Sequence, residues 1–254
     1  MYEQVSPESS GCMGYCSDCG RSHGLPSQKA IPHALLLMTQ LREQGRFDFE
    51  LPPAEANPLL STHVLYTAMR GKMFGVLVCE DAGGKEVVLR AFSGKHNGLW
   101  NVSGWVPPLM DEQRFNERIE SGNVDIHPLT DLVLRLEKGS ADWSRAVAER
   151  KVASQKVLVD LYTLYEVHNF KNEKRSLAGA FRIQKGIPNG TGDCCAPKLL
   201  NHAAKNKLKP LSIAEFFWGK ETASGSKTEG AFYPSCTDKC QPLLGFMLCG
   251  ADSL

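Results

Sequence analysis

The sequence predicts a layered α/β fold, with α+β as its close variant, in which helices lie on a sheet. Three observations carry this. Two apolar, β-prone runs at 73–81 and 86–94 are joined by a Gly-Gly turn. A stretch over 129–167 places apolar residues at helical spacing. Towards the C-terminus the order is helix, strand, loop, helix, with a cysteine at the start of each helix.

Residues 1–30 are rich in Gly, Ser and Cys and predict an irregular, cysteine-rich segment; residues 31–254 follow as a single α/β domain with a helical insertion at about 111–168. "IPHALLLMTQLREQG" at 31–45 reads as a short helix, because Pro32 stands at its start and Gly45 just past its end. "ELPPAEANPLLS" is a proline-broken linker, and "NGLWNVSGWVPPLM" is an aromatic loop laid on the sheet, where Pro107 and Pro108 stop any helix. In 141–165 the apolar positions Val147, Val152, Val157, Leu158, Leu161 and Leu164 mark one helical face. "AGAFRIQKGIP" reads as a short extended piece. A helix from about Ala196, a strand over 210–219, a Gly/Ser/Thr loop over 220–230 and a last helix, "CQPLLGFMLCG", complete the order.

The chain has 254 residues, 42% of them hydrophobic and 22% charged, so it can bury a core without disulfides. "MYEQVSPESSG" lacks the basic and apolar regions of a secretory signal, and no apolar run is long enough to span a bilayer. A cytoplasmic, reducing setting with no membrane partner is therefore expected. There the nine cysteines would bind metal or do chemistry rather than cross-link. The net charge of +1 predicts no polyanion partner by itself, but between positions 171 and 210 nine Lys or Arg face two acids, a local net of +7. Such a block attracts phosphates, and RNA contact through Lys198, Lys205, Lys207 and Lys209 is the reading it supports; the alternative is a solvated helix face and loop. A nucleophile elbow, a Walker loop and a dinucleotide fingerprint are all absent, which removes those enzyme classes.

The cysteines form two constellations. "GDCCAPKLL" and "FYPSCTDKC" offer Cys194, Cys236 and Cys240, with Cys195 as a lesser choice, as three thiolate ligands for zinc at two neighbouring helix starts. Three protein ligands leave the open position that a catalytic zinc uses. The N-terminal "CMGYCSDCGRSH" offers Cys12, Cys16, Cys19 and His23 as a closed structural site. Its Cys-x3-Cys-x2-Cys spacing also matches radical enzymes that use S-adenosylmethionine, but the βα alternation of their barrel is missing. Cys79 and Cys249 sit in apolar runs and read as core, and the other histidines are scattered.

The first constellation resembles the zinc deaminase fold, where H-x-E or C-x-E opens one helix and P-C-x-x-C opens the next after a strand. The resemblance implies a cytidine-deaminase-like arrangement of the C-terminal part and a nucleoside or RNA deaminase. Two departures stand against it: Ala196 occupies the place of the proton-carrying Glu, and the second pair is Cys-x3-Cys. Asp193 is the substitute that this reading requires. The blocks "GKMFGVLVCED", "WVPPLMD", "GTGDCCAPKLLNHAAKNKLKPLSIAEFFWG" and "YPSCTDKCQPLLGFML" further resemble the N-terminal extension of bacterial fusion-type RNA pseudouridine synthases. The catalytic H-R-L-D motif of those enzymes is not found; the nearest string is "LRLEKGS". The resemblance thus implies an accessory, RNA-modification-associated, zinc-binding domain that contacts RNA. Its matching positions are Asp193, Cys194, Pro197, Lys198, Glu215, Trp218, Pro234, Cys236 and Cys240, and Glu215 joins Asp193 as a candidate catalytic or polar-site residue. A purely structural metalloprotein is the remaining alternative.

Overall fold

A strand pair joined by a tight glycine turn forms the centre of the molecule. Strands β3 (Lys72–Glu80) and β4 (Glu86–Phe92) form the hairpin that the Gly-Gly pair predicts. The structure, a computed structural model, describes residues 11–182 and 186–253. Residues 1–10 of the expected irregular segment, and Ile183, Gln184 and Lys185 of the expected extended piece, lie outside the described residues. Strand β7 (Lys209–Trp218) adds to the free edge of β3, and the two-residue β8 (Phe232–Tyr233) closes the order β4-β3-β7-β8. All pairings in this sheet are antiparallel, so the layered fold takes its α+β form.

Alternation along β3 and β7 sends side chains to two faces, and each face carries helices. On one face lies α1 (Ile31–Gln44), with Pro32 in its first turn and Gly45 in the left-handed cap position, as its sequence dictates. Its Ala34, Leu37, Met38 and Leu41 meet Phe74, Val76, Phe216 and Trp218. Part of the aromatic loop at 97–110 covers the same face: the Trp105 ring meets Phe47, Phe74 and Phe92 at tilted or edge-on angles and donates its Nε1–H to the Phe47 carbonyl at 2.9 Å, while Trp100, Val106, Leu109 and Met110 join the opposite core. His96 is buried here against the Phe47 ring, with Nε2 bonded to the Ser61 carbonyl at 2.9 Å.

On the other face lie α5 (Cys195–Lys205), α6 (Gln241–Met247) and the short α4 (Leu177–Ala180), over Leu77, Cys79 and Ile213. The short helix α4 stands where an extended piece was expected, because Ser176 caps it by accepting the Gly179 N–H. The helical insertion is a pair, α2 (Glu112–Arg135) and α3 (Ala141–Tyr162). Helix α2 starts well before position 129: Asp111 caps it by accepting the Arg114 N–H, and it runs through Pro128. A small hairpin of β5 (Glu166–His168) and β6 (Lys174–Ser176) returns the chain to the sheet. No helix among the described residues is long and apolar enough to cross a membrane.

The cysteine-rich N-terminus departs from expectation. Residues 12–25 form a regular hairpin, β1 (Cys12–Cys16) and β2 (Arg21–Leu25), laid on α6. The glycines that suggest irregularity serve a close approach. A Cβ on Gly14 would stand 2.3 Å from the Gly245 backbone nitrogen, and one on Gly245 would stand 2.0 Å from the Tyr15 carbonyl oxygen. Strand and helix therefore touch backbone to backbone.

Candidate metal centre

Helix α5 is capped by Cys194 and α6 by Cys240, while Cys236 sits in the turn that leads into α6. Because both helices start over the same part of the sheet, the sulfurs of Cys194, Cys236 and Cys240 converge, all within 4.8 Å of one another. Cys236 Sγ and Cys240 Sγ are 3.3 Å apart. Tetrahedral zinc, with Zn–S bonds of about 2.3 Å, sets sulfurs about 3.8 Å apart, which falls between the 3.3 Å of the closest pair and the 4.8 Å limit of the set, so small side-chain adjustments suffice. Hydrogen bonding with Cys194 and Cys240, together with the backbone N–H groups of Lys239 and Cys240, lowers the Cys236 thiol far below its usual range. Hydrogen bonding with Cys236 pushes Cys194 up to about 12, and hydrogen bonding with Cys194 and Cys236 pushes Cys240 well above the ordinary value. A cation would displace the protons left on Cys194 and Cys240. Three soft thiols and one exposed member, Cys236, make a donor set suited to zinc with one position open.

Glu215 lies beside this set. It projects from β7 towards α5, and its cross-strand neighbour is Gly75 on β3. A Cβ on Gly75 would come within 2.7 Å of the Cys195 Cβ, so the glycine is what lets α5 settle on the sheet. The Glu215 carboxylate then accepts the Ala196 N–H at 3.0 Å. Its side chain is buried, and burial pushes its pKa up to about 7, against the downward pull of the Ala196 N–H and the Lys227 ammonium. A carboxyl poised near neutrality beside three thiols is chemically distinctive.

The other expected residues fall elsewhere. Asp193 is tied up: Tyr165 donates its hydroxyl to Asp193 Oδ1 at 2.8 Å, and burial raises the carboxyl pKa. Cys195, one residue on and so about 100° around the helix, turns away from the other sulfurs. It donates its S–H to the Met73 carbonyl at 3.3 Å. Lys198 is not an RNA-facing cation. It is 1% exposed, its ammonium donates to the carbonyls of Phe92 and Gly94 at 3.0 and 2.8 Å, and it lies over the rings of Phe92 and Trp100. Lys205 and Lys207 are exposed and Lys209 is half-buried. Elsewhere in the basic block Arg175 pairs with Asp18 at 2.8 Å and Lys174 with Glu166 at 3.0 Å, so two of its charges are offset by acids outside it.

The second constellation forms with one member exchanged. Cys16, Cys19 and His23 gather with Cys249, not with Cys12. The reason is strand geometry: four residues of extended chain separate Cys12 from Cys16 by about 13 Å, too far for one ion. Cys16 and Cys19 instead bracket the hairpin turn, where Gly20 takes φ 68° and donates its N–H to the Cys16 carbonyl. Cys249 arrives from beyond α6 because Gly14 and Gly245 let that helix lie flush on β1. His23 Nε2 is 3.0 Å from Cys19 Sγ, and its Nδ1 faces Asp252 at 3.6 Å. A carboxylate behind a histidine orients the ring for metal. These four donors form a closed set that could hold an ion with no open position.

The signal for Cys249 was its place just past the last helix, which a purely apolar reading of "GFMLCG" hides. The signal for Glu215 was a lone acid inside the apolar run "SIAEFFW". Comparison with protein-family models, with curated proteins and with solved structures returned no match.

Proposed function

We infer that this chain is a metal-dependent hydrolase of the deaminase kind, in which Cys194, Cys236 and Cys240 hold a zinc ion and Glu215 moves the protons. One observation carries the reading. The Glu215 carboxylate stands against the Ala196 N–H, the position in α5 at which the deaminase motif places its glutamate. The acid comes from the neighbouring strand rather than from the helix. A bound zinc ion supplies a Lewis acid that brings the pKa of water down to about 7. Glu215, itself near 7, can both take and return a proton at neutral pH. In the net reaction an amidine carbon, N=C–NH2, takes the oxygen of water and releases ammonia. Glu215 carries one water proton to the ring-type nitrogen and the other to the departing amine.

The test is ammonia release by zinc-loaded protein across free bases, nucleosides and short RNAs, wild type against Glu215→Gln. Release that the substitution abolishes while zinc content holds supports the reading. Silence across the panel, or an unaffected variant, overturns it.

The resemblance to the pseudouridine synthase extension supports a setting in RNA modification, and the exposed Lys205 and Lys207, with Lys209, support RNA as the partner. Reversing these three charges should weaken RNA binding and flatten its salt dependence. Unchanged affinity removes RNA as partner at this surface. The closed Cys16–Cys19–His23–Cys249 set fits the structural role that the third alternative assigned to metal.

A further inference from the structure

The loop between β7 and β8 brings a cation over the sheet. Lys227 in this loop donates its ammonium to the Met73 sulfur at 3.0 Å and holds it 4.6 Å from the centroid of the Tyr233 ring. Met73 belongs to β3 and Tyr233 to β8, the strands on either side of β7. All three strands turn the same face to the ammonium. Glu215 pairs with Gly75 on one side and with Tyr233 on the other, and Met73 stands two residues from Gly75. An ammonium that touches side chains on both flanking strands therefore lies above β7, on the face from which Glu215 projects. Its charge reaches the Glu215 carboxyl without forming an ion pair with it; after the Ala196 N–H, it pulls that pKa down against burial.

This ammonium is held firmly but poorly satisfied. The Lys227 backbone N–H donates to Thr222 Oγ1 at 3.1 Å, and the next residue, Thr228, donates its N–H to the Tyr233 hydroxyl at 2.9 Å, so the loop is pinned on both sides. Three donors sit on an ammonium, whereas a thioether is a weak acceptor and a ring face accepts only electrostatically. Among the described residues no oxygen accepts from Lys227 Nζ; Glu229 of the same loop accepts the Tyr66 hydroxyl at 2.8 Å instead. Lys227, Met73 and Tyr233 are half-buried and Cys236 is exposed, so this side of the centre is open to a ligand. A strongly hydrated cation kept half out of water with no anion is completed by a charged acceptor.

We propose that Lys227 anchors the substrate of the three-cysteine centre: its ammonium binds an oxyanion that the substrate carries, a carboxylate or a phosphate, and so turns the reacting carbon towards Cys236 and Glu215. This rests on the reading of the centre as a deaminating hydrolase and names the charge its substrate bears.

The experiment uses the full zinc-loaded chain with isotope-labelled methionine methyl groups, titrated with inorganic phosphate and, separately, with acetate. The Met73 methyl is bonded to the sulfur that Lys227 touches, so its NMR signal reports an anion at this spot; Met73→Leu assigns the signal. The expected result is a saturable shift with at least one anion, and the tighter of the two names the group. Lys227→Gln should weaken it about tenfold and Lys227→Arg should keep it, at unchanged zinc content and thermal unfolding. Lys227→Met, which keeps an apolar stem over Tyr233, serves as a second neutral variant. No shift with either anion, or equal saturation in wild type and both neutral variants, overturns the anchor. Anion binding that depends on Lys227, without ammonia release from any compound, upholds the anchor and removes the reaction. Ammonia release that depends on Glu215 but ignores Lys227→Gln upholds the reaction and removes the anchor.

Discussion

The two thiol clusters are built from the same kinds of residue but differ in donor count. One takes four donors, Cys16, Cys19, His23 and Cys249, from the two ends of the described chain; the other takes three, Cys194, Cys236 and Cys240, from two helix starts. The first is complete within the protein, backed by Asp252 behind His23, and ties the N-terminal hairpin to the end of α6. The second lacks a fourth protein donor among the described residues and has instead a buried carboxyl beside it. Donor count separates a site that holds the fold together from one that leaves room for a reaction.

That contrast breaks most sharply at Glu215 and Cys236. Glu215→Gln or Cys236→Ser should lower ammonia release by about 100-fold or more, as removal of a proton carrier or a metal ligand does. Thermal unfolding measured alongside should move little. If either variant instead collapses the fold, the three-thiol set is structural and the contrast disappears.

Next in size is Cys249→Ser. Losing one donor of the closed site should remove its ion, lower stability by several kcal/mol and halve the metal content measured by mass spectrometry. Cys194, Cys236 and Cys240, which share no residue with this cluster, should still bind metal. Full metal content in this variant would show that Cys249 is not a ligand.

Acid sensitivity sharpens the comparison, since thiolate sites release metal as pH falls. A third group obscures the reading. Burial, followed by the nearby charge of Lys72, holds His96 down to about 4, so the folded state keeps it neutral. Between about 6.5 and 4 the unfolded chain binds a proton that the folded chain does not, and stability drops by about 3 kcal/mol across that window. His96→Gln should flatten this slope in denaturant titrations of metal-free protein. What remains in the loaded protein then belongs to the clusters.

The smallest effect runs the other way. Glu215 has its pKa raised in the fold, so it favours the folded state in acid, and that advantage is lost as pH rises through about 7. In metal-free protein, Glu215→Gln should therefore raise stability at pH 8 by roughly 1–3 kcal/mol and change it little at pH 4. A variant that gains stability while losing activity would mark Glu215 as retained for chemistry.

Much of this was legible in the residues. Pro32 and Gly45 bounded α1, Gly83 and Gly84 set the hairpin of β3 and β4, and "PLSIAEFFW" gave β7, because caps, turns and apolar runs are local signals. The gathering of Cys194, Cys236 and Cys240 was legible because helix starts over one sheet must lie close together. Less visible were features set by distant partners. Lys198 sits in a basic stretch, and only the fold shows the carbonyls of Phe92 and Gly94 waiting for its ammonium. Cys12 matched a ligand spacing until the backbone proved extended. Cys249 took its place from the far end of the chain, a pairing that no local pattern encodes.

The contact between Gly14 and Gly245 sets how far that end of the chain may vary. A single methyl on either glycine would wedge strand and helix apart and carry the Cys249 sulfur out of range of Cys16 and Cys19. Two residues with no side chain to react thus act as the gauge block of the assembly, and a neutral-looking Gly→Ala exchange there should be felt first as lost metal.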